Sequence, residues 1–200
     1  MTVELILGDC LEVMPTLDEC SVDTIITDPP GGIDFMGKQW DDLTDHEAKT
    51  ERGKLVSKAL SPLVELGIIE NWEAGFLLFT VDWASSALRV LKPGASGLVW
   101  SIPRTSDLTQ FGLRLAGFRI VDVVSHLYGS GFPKSYNISK GMKKHDVPED
   151  VSEAWRGHGT SLKPAREDWI LVYKPRDVDW VIELTPELLD EWEAIEHDHE

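Results

Sequence analysis

Asp28, Pro29 and Pro30 form the stretch of this sequence whose residue types most directly suggest chemistry. They follow residues 22–27 (VDTIIT), a near-continuous apolar run that predicts a buried parallel strand. Ligands of α/β proteins bind at the carboxyl ends of such strands. Proline fixes the backbone and donates no N–H, so this turn would present the Asp28 carboxylate and a main-chain carbonyl as two converging acceptors. Two acceptors suit an exocyclic amino group, and engaging both of its N–H bonds makes its nitrogen lone pair more available for attack.

The elements around this turn alternate between strands and helices, which predicts an α/β fold with a mostly parallel sheet flanked by helices and an antiparallel strand near the C-terminus. Strands are predicted at residues 3–7, 22–27, 97–101, 119–126, 169–174 and 178–184. Helices are predicted at residues 10–17, 48–60, 70–91 and 105–116. In the first helix Asp9 is the expected N-cap and Pro15 shortens or kinks the helix. Residues 31–71 are the least regular and are interpreted as an insertion or lid, and residues 147–160 are expected to be irregular.

The net charge of −16 lies mostly in the C-terminal tail. Residues 177–200 contain ten acids and no Lys or Arg, which leaves 25 acids against 19 bases upstream. The tail is therefore expected to be a solvated strand and helix end or partly disordered. A basic stretch survives at residues 134–144 (KSYNISKGMKK), and a basic stretch is what contact with a nucleic-acid backbone requires.

Other classes of protein find little support in the sequence. No apolar run approaches the ~20 residues of a membrane span, and the N-terminus has no signal-peptide pattern. Cys10 and Cys20 are interpreted as two reduced thiols rather than a disulfide. The six histidines have no metal-ligand spacing, so no metal site is predicted.

Four stretches occur in an informative order: LGDCL at residues 7–11, DPPGGIDFMGKQWD at 28–41, ALRVLKPG at 87–94 and GTSLKPARE at 159–167. In this order they resemble the S-adenosylmethionine-dependent DNA amino-methyltransferases, and in particular their phage and prophage subgroup. The resemblance implies a Rossmann-like methyltransferase fold over residues 1–176, shortened relative to the family. It also implies S-adenosylmethionine as cofactor, DNA as partner and the cytoplasm of a bacterial host as location.

The resemblance assigns roles to individual residues. Asp28, Pro29 and Pro30 would be catalytic and would hold the amino group of the target base. Asp9 and Cys10 would lie at the cofactor. Candidate contacts to DNA are Gly31, Phe35, Trp40 and Lys134.

Two departures from the family pattern are informative. Gly31 stands where the family has an aromatic ring that stacks on the flipped base; either Phe35 or Trp40 replaces that ring, or both simply pack under the lid. The family's glycine-rich cofactor loop does not follow residue 174, and the GSG of residues 129–131 is a loop near the substrate or merely a turn. The missing segment would supply two central strands, so the sheet closes differently or buries its edge in another copy or a second chain.

The main hypothesis is a DNA methyltransferase that acts on adenine N6, because Asp rather than Ser at position 28 leans towards adenine. The alternative is a non-catalytic or split relative that binds DNA or a partner chain and lacks autonomous cofactor binding. A third hypothesis, an acidic decoy that resembles DNA, is supported only by the acidic tail.

Overall fold

The computed structural model of the chain describes residues 3–33, 38–129, 136–160 and 165–176. The chain divides into two compact units, one of residues 1–124 and 168–200 and the other of residues 125–167. The predicted strand at residues 178–184 and the acidic tail lie outside the described residues. None of the helices in the described ranges combines the length and apolar character that a membrane span needs.

One four-stranded sheet organises the larger unit. In chain order its strands are β1 (Val22–Thr27), β2 (Leu91–Ser101), β3 (Arg119–Leu127) and β4 (Arg166–Tyr173). They lie side by side in the order β1-β2-β4-β3, with β1 parallel and β4 antiparallel to β2. The predicted α/β class and the antiparallel strand near the C-terminus are therefore confirmed.

Four of the six described helices fall close to predicted positions, and the fifth, at residues 138–144, was not predicted. They are α1 (Cys10–Val13), α2 (Glu51–Glu65), α3 (Asn71–Val90), α4 (Ser106–Ala116), α5 (Ile138–Lys144) and α6 (Glu149–Ala154). Asp9 caps α1 by accepting the Leu11 N–H at 2.9 Å, and Pro15 lies in the 3-10 turn that follows, as predicted. The expectation that residues 147–160 are irregular was wrong at α6.

Helix α3 contributes to both apolar clusters of the larger unit. On the sheet side, Trp83 and Ala87 belong to a cluster with Val99 of β2 and Ile170 of β4. Elsewhere on α3, Leu77 and Val81 join Val56 and Leu60 of α2 in a second cluster. A helix that is apolar around most of its circumference is typical of a buried central element, and α3 is the element against which the rest of this unit is placed.

The smaller unit is tied together by backbone bonds and ion pairs. Asn137 and Gly159 form an isolated antiparallel bridge, next to which the Thr160 N–H donates to the Tyr136 carbonyl at 3.1 Å. The Lys143 ammonium of α5 lies 2.8 Å from the Glu153 carboxylate of α6.

Residues 3–7 do not form the predicted strand. They run without strand pairing, and their apolar side chains are 53–104% exposed: Val3, Leu5, Ile6 and Leu7. A strand forms only with a hydrogen-bonding neighbour, and the edge of β1 that faces away from β2 is not paired with any described strand. Ile26 of β1 is 68% exposed as well. Residues 3–7 have the apolar character of a strand, but no described strand pairs with them.

The Asp82 carboxylate on α3 fixes the segment that leads into α2. This carboxylate is fully buried and accepts the backbone N–H groups of Lys49 and Thr50, each at 2.8 Å. It also accepts the Thr50 hydroxyl at 2.6 Å and lies 2.9 Å from His46 Nε2. Burial alone would raise the pKa of Asp82, but these hydrogen bonds outweigh it and hold the pKa below its ordinary value near 3.8.

We expect Asp82→Asn to lower the free energy of unfolding at pH 7 by about 2–4 kcal/mol, since an amide cannot accept from all of these donors. Urea denaturation followed by circular dichroism measures the change. Asp45→Asn, at an exposed position of the same segment, is the control and should stay within about 0.5 kcal/mol of the unchanged protein.

The pH dependence of this effect has a defined sign. Because the pKa of Asp82 is lower in the folded than in the unfolded chain, unfolding takes up a proton and the stabilisation is lost as the pH falls below about 4. The difference between Asp82→Asn and the unchanged protein should therefore shrink in acid. A difference that is independent of pH between 7 and 3 would contradict this role.

Candidate active site

Asp28 lies at the carboxyl end of β1, as the sequence predicts. Its neighbour Thr27 pairs in parallel register with Val99, so the strand continues to the residue before the turn. Asp28 is exposed, whereas Pro29 and Pro30 are half-buried. The turn therefore sits on the end of a paired strand with its carboxylate side chain at the surface.

Two side chains, one nearby in the sequence and one distant, hold the backbone that follows the prolines. The Asp41 carboxylate is 1% exposed and accepts the N–H groups of Gly32, at 2.8 Å, and Ile33, at 3.1 Å. The Thr105 hydroxyl donates to the Gly31 carbonyl at 2.8 Å. Residues 31–33, called the site loop below, are thus fixed by hydrogen bonds that they donate to a carboxylate and by one that they accept from a hydroxyl.

The glycines of the site loop are required by close packing. Gly32 has a φ of +66°, a conformation that favours glycine, and the Phe76 ring of α3 lies directly against it. A Cβ at Gly31 would come 3.3 Å from the Ile102 side chain. A larger residue at position 31 would therefore have to shift the Ile102 side chain by a few tenths of an ångström.

A pocket of about 150 Å³ opens beside the site loop. It is lined by Gly32 and Ile33, by residues 41–44, and by Trp72 and Arg104. The backbone of residue 43 lies against α3 at Gly75, where a side chain would collide with the Leu43 carbonyl. The pocket thus lies where the site loop, the following segment and the start of α3 meet.

Asp9 and Cys10 lie at the start of α1, next to the exposed residues 3–7. Besides capping α1, Asp9 lies 3.5 Å from the Lys49 ammonium, and both side chains are partly exposed. Partial burial of the Cys10 thiol, together with the adjacent Asp9 carboxylate, raises its pKa. The thiol therefore stays protonated at neutral pH and is not a candidate nucleophile. Cys10 and Cys20 are both free thiols.

These two residues fit the cofactor only in part. Their polar groups could contact a nucleoside from one side, but the edge of β1 that faces away from β2 is paired with no described strand. The residues present thus form at most one wall of a cofactor site.

The other predicted substrate contacts have mixed outcomes. Trp40 is 59% exposed in the 3-10 turn Gln39–Asp41 and does not line the pocket. Gly31 lies in the site loop. Phe35 and Lys134 lie outside the described residues. Within the described ranges, no group of His, Cys, Asp or Glu side chains is placed to hold a metal ion.

Sequence reasoning overlooked Asp41, Thr105 and Trp72. Asp41 closes the stretch of residues 28–41 that resembles the phage subgroup, so a signal for it was present. Thr105 and Trp72 carry no comparable signal, because each reaches the site through the packing of a helix.

Comparisons with known proteins give a curated relative and several solved structures that are similar to this chain. No protein-family model matches the chain. The chain is similar to the type II methyltransferase M.BamHI of Bacillus amyloliquefaciens, with 30% identity over 138 residues that cover 66% of this chain and 26% of that protein. The matched part thus spans about a quarter of the length of that curated relative.

Two solved structures are also similar. The cytosine-N4-specific PvuII DNA methyltransferase matches with a TM-score of 0.47 and 15% identity over 90% of this chain and 53% of the other. The M1.HpyAVI–SAM complex matches with a TM-score of 0.41 and 12% identity over 84% of this chain and 53% of the other.

We expect Asp41→Ala to release the site loop, because it leaves the N–H groups of Gly32 and Ile33 without their acceptor. A hydrogen bond to a charged group contributes about 1.5–3 kcal/mol, so amide hydrogen exchange at these two residues should accelerate about 10- to 100-fold. Asp42→Ala, at an exposed neighbouring position, is the control. Unchanged exchange at both amides in Asp41→Ala would show that the site loop does not depend on this carboxylate.

Proposed function

We propose that this chain is the base-binding part of a DNA methyltransferase that methylates the exocyclic amino group of adenine at N6. The observation that carries the proposal is the Asp28-Pro29-Pro30 turn at the carboxyl end of β1, followed by a site loop held by Asp41 and Thr105. The similarity to M.BamHI supports the reaction class. The preference for adenine rests on Asp28, and cytosine N4 is the competing target.

The chemistry follows from the two acceptors at the turn. The Asp28 carboxylate and the Pro29 carbonyl accept the two N–H bonds of the amino group and fix its direction. S-adenosylmethionine would supply the methyl group; its methyl–sulfur bond would break with the electron pair staying on sulfur, and S-adenosylhomocysteine would leave. As the amino nitrogen forms its new bond to the methyl carbon, positive charge develops on it, and the Asp28 carboxylate would stabilise that charge and take the proton. Catalysis then depends on positioning and electrostatics, without a covalent bond to the protein.

Residues on the open side of β1 complete the proposal. Asp9 and Cys10 form one wall of the cofactor site. The apolar side chains of residues 3–7 and of Ile26 are exposed, and the edge of β1 that faces away from β2 is paired with no described strand. Unpaired edges with apolar side chains are normally covered. We propose that a strand-bearing segment of a second chain or of a second copy covers this edge, and that the cofactor loop comes from a second chain.

The alternative is a split or non-catalytic relative that binds DNA or its partner without binding the cofactor alone. The open edge of β1 favours a split enzyme over an autonomous one. Action in the cytoplasm of a bacterial host and a phage or prophage origin remain predictions from the sequence.

We expect Asp28→Ala to reduce methyl transfer at least about 100-fold, the usual effect of removing a group that stabilises developing charge. Transfer from radiolabelled S-adenosylmethionine to mixed-sequence DNA, followed by nucleoside analysis, measures the rate and separates N6-methyladenine from N4-methylcytosine. Asp23→Ala, on the same strand and paired with Lys92 at 2.6 Å, is the matched control and should retain activity. Full transfer by Asp28→Ala would remove Asp28 from its assigned role.

Calorimetry with S-adenosylmethionine separates the two forms of the proposal. If the edge of β1 must be covered before S-adenosylmethionine binds, the chain alone should show no stoichiometric binding of it. Binding should then appear only when the covering segment is present. Tight binding of one cofactor per isolated chain would rule out the split arrangement. An absence of binding would rule out autonomous catalysis.

A further inference from the structure

The pocket beside the site loop has one aromatic wall, formed by Trp72. Trp72 is the second residue of α3 and is half-buried. Its indole Nε1 donates to the Glu70 carboxylate at 2.5 Å, and the Glu70 N–H donates to the Glu73 carboxylate at 2.8 Å. The ring is therefore oriented by the capping residues of a long, well-packed helix.

The first turns of α3 lie against the site loop. Trp72 and Phe76 are four residues apart and so lie on the same face of the helix. The Phe76 ring lies directly against Gly32, and Trp72 lines the pocket together with Gly32 and Ile33. One face of α3 thus places one ring under the site loop and a second ring at the pocket beside it.

The size and charge of the pocket limit what it can take. Its volume of about 150 Å³ is below the ~300–1,000 Å³ of sites that hold drug-sized ligands, which leaves room for no more than one planar ring system. The exposed residues Arg104 and Asp42 line it, and the Asp42 carboxylate, which accepts the Thr44 N–H at 3.2 Å, is a further acceptor. An aromatic wall, a cation and a hydrogen-bond acceptor together suit a base with an adjoining phosphate.

We propose that this pocket binds one unstacked base of DNA, with Trp72 as its stacking surface and Arg104 as a contact to the neighbouring phosphate. The inference rests on the proposed function and gives a position to the ring that Gly31 does not provide. Trp72 enters from α3 rather than from the turn itself. Its role is substrate binding and is separate from that of Asp28.

The probe is a single-stranded oligothymidylate that carries one 2-aminopurine, whose fluorescence is quenched by stacking. The full chain should bind it with quenching, and Trp72→Ala should weaken binding about 5- to 100-fold, since base–aromatic stacking contributes ~1–3 kcal/mol and 1.4 kcal/mol is tenfold. Trp72→Phe should retain most of the affinity and the quenching. Trp155→Ala, in the smaller unit and partly exposed, is the control for loss of a surface tryptophan. Circular dichroism confirms that each variant is folded.

Arg104 gives an independent readout. Arg104→Gln should reduce the slope of log affinity against log salt by about 0.7, the value for one phosphate contact on a single strand, while the quenching of bound 2-aminopurine persists. An unchanged slope would overturn the phosphate assignment.

The base assignment is overturned if the unchanged protein does not quench the probe or if Trp72→Ala binds as tightly as the unchanged protein. It is also overturned if Trp40→Ala loses the quenching while Trp72→Ala keeps it. Methyl-transfer activity distinguishes a failure of the base assignment from a failure of the proposed function. Full Asp28-dependent transfer by Trp72→Ala, with an unchanged KM for DNA, would discard the pocket and leave the function standing. If base binding depends on Trp72 but no methyl transfer occurs even with the β1 edge covered, the pocket stands and the proposed function is discarded.

Discussion

The Asp82 carboxylate lies outside the site but anchors the segment that leads from it to α2. By accepting the N–H groups of Lys49 and Thr50, it fixes the segment before α2 against α3. That segment begins with Asp41, whose buried carboxylate in turn accepts the Gly32 N–H of the site loop. Two buried carboxylates, each saturated by backbone donors, therefore connect the central helix to the turn at Asp28. Such bonds are strong because both acceptors are charged and shielded from water.

The open edge of β1 divides the site into two halves of different completeness. On the side of the site loop, the chain itself supplies the acceptors, the bracing side chains and the pocket with Trp72. On the other side, residues 3–7 and Asp9 are exposed along a strand edge that no described strand covers. This asymmetry matches a chain that holds the base and relies on a further segment to hold the methyl donor.

Local patterns in the sequence predicted the elements that local interactions determine. The apolar run before Asp28 predicted β1, and the three- and four-residue repeat of apolar residues predicted α3 almost to its ends. The predicted strand at residues 3–7 failed because an apolar pattern does not reveal whether a pairing neighbour is present. The bracing of the site loop by Thr105 and the approach of Trp72 could not be predicted, since both depend on how α3 and α4 pack in three dimensions. Asp41 was predictable in part: it belongs to the stretch at residues 28–41, but the sequence did not indicate that its carboxylate accepts the N–H groups of the site loop.

The central claim is that the turn at Asp28 holds the exocyclic amino group of a base. A crystal structure of the chain with an oligonucleotide that contains an extrahelical adenine tests it most directly. The account predicts the amino nitrogen about 3 Å from both the Asp28 carboxylate and the Pro29 carbonyl. An ordered base whose amino group contacts neither acceptor would contradict it.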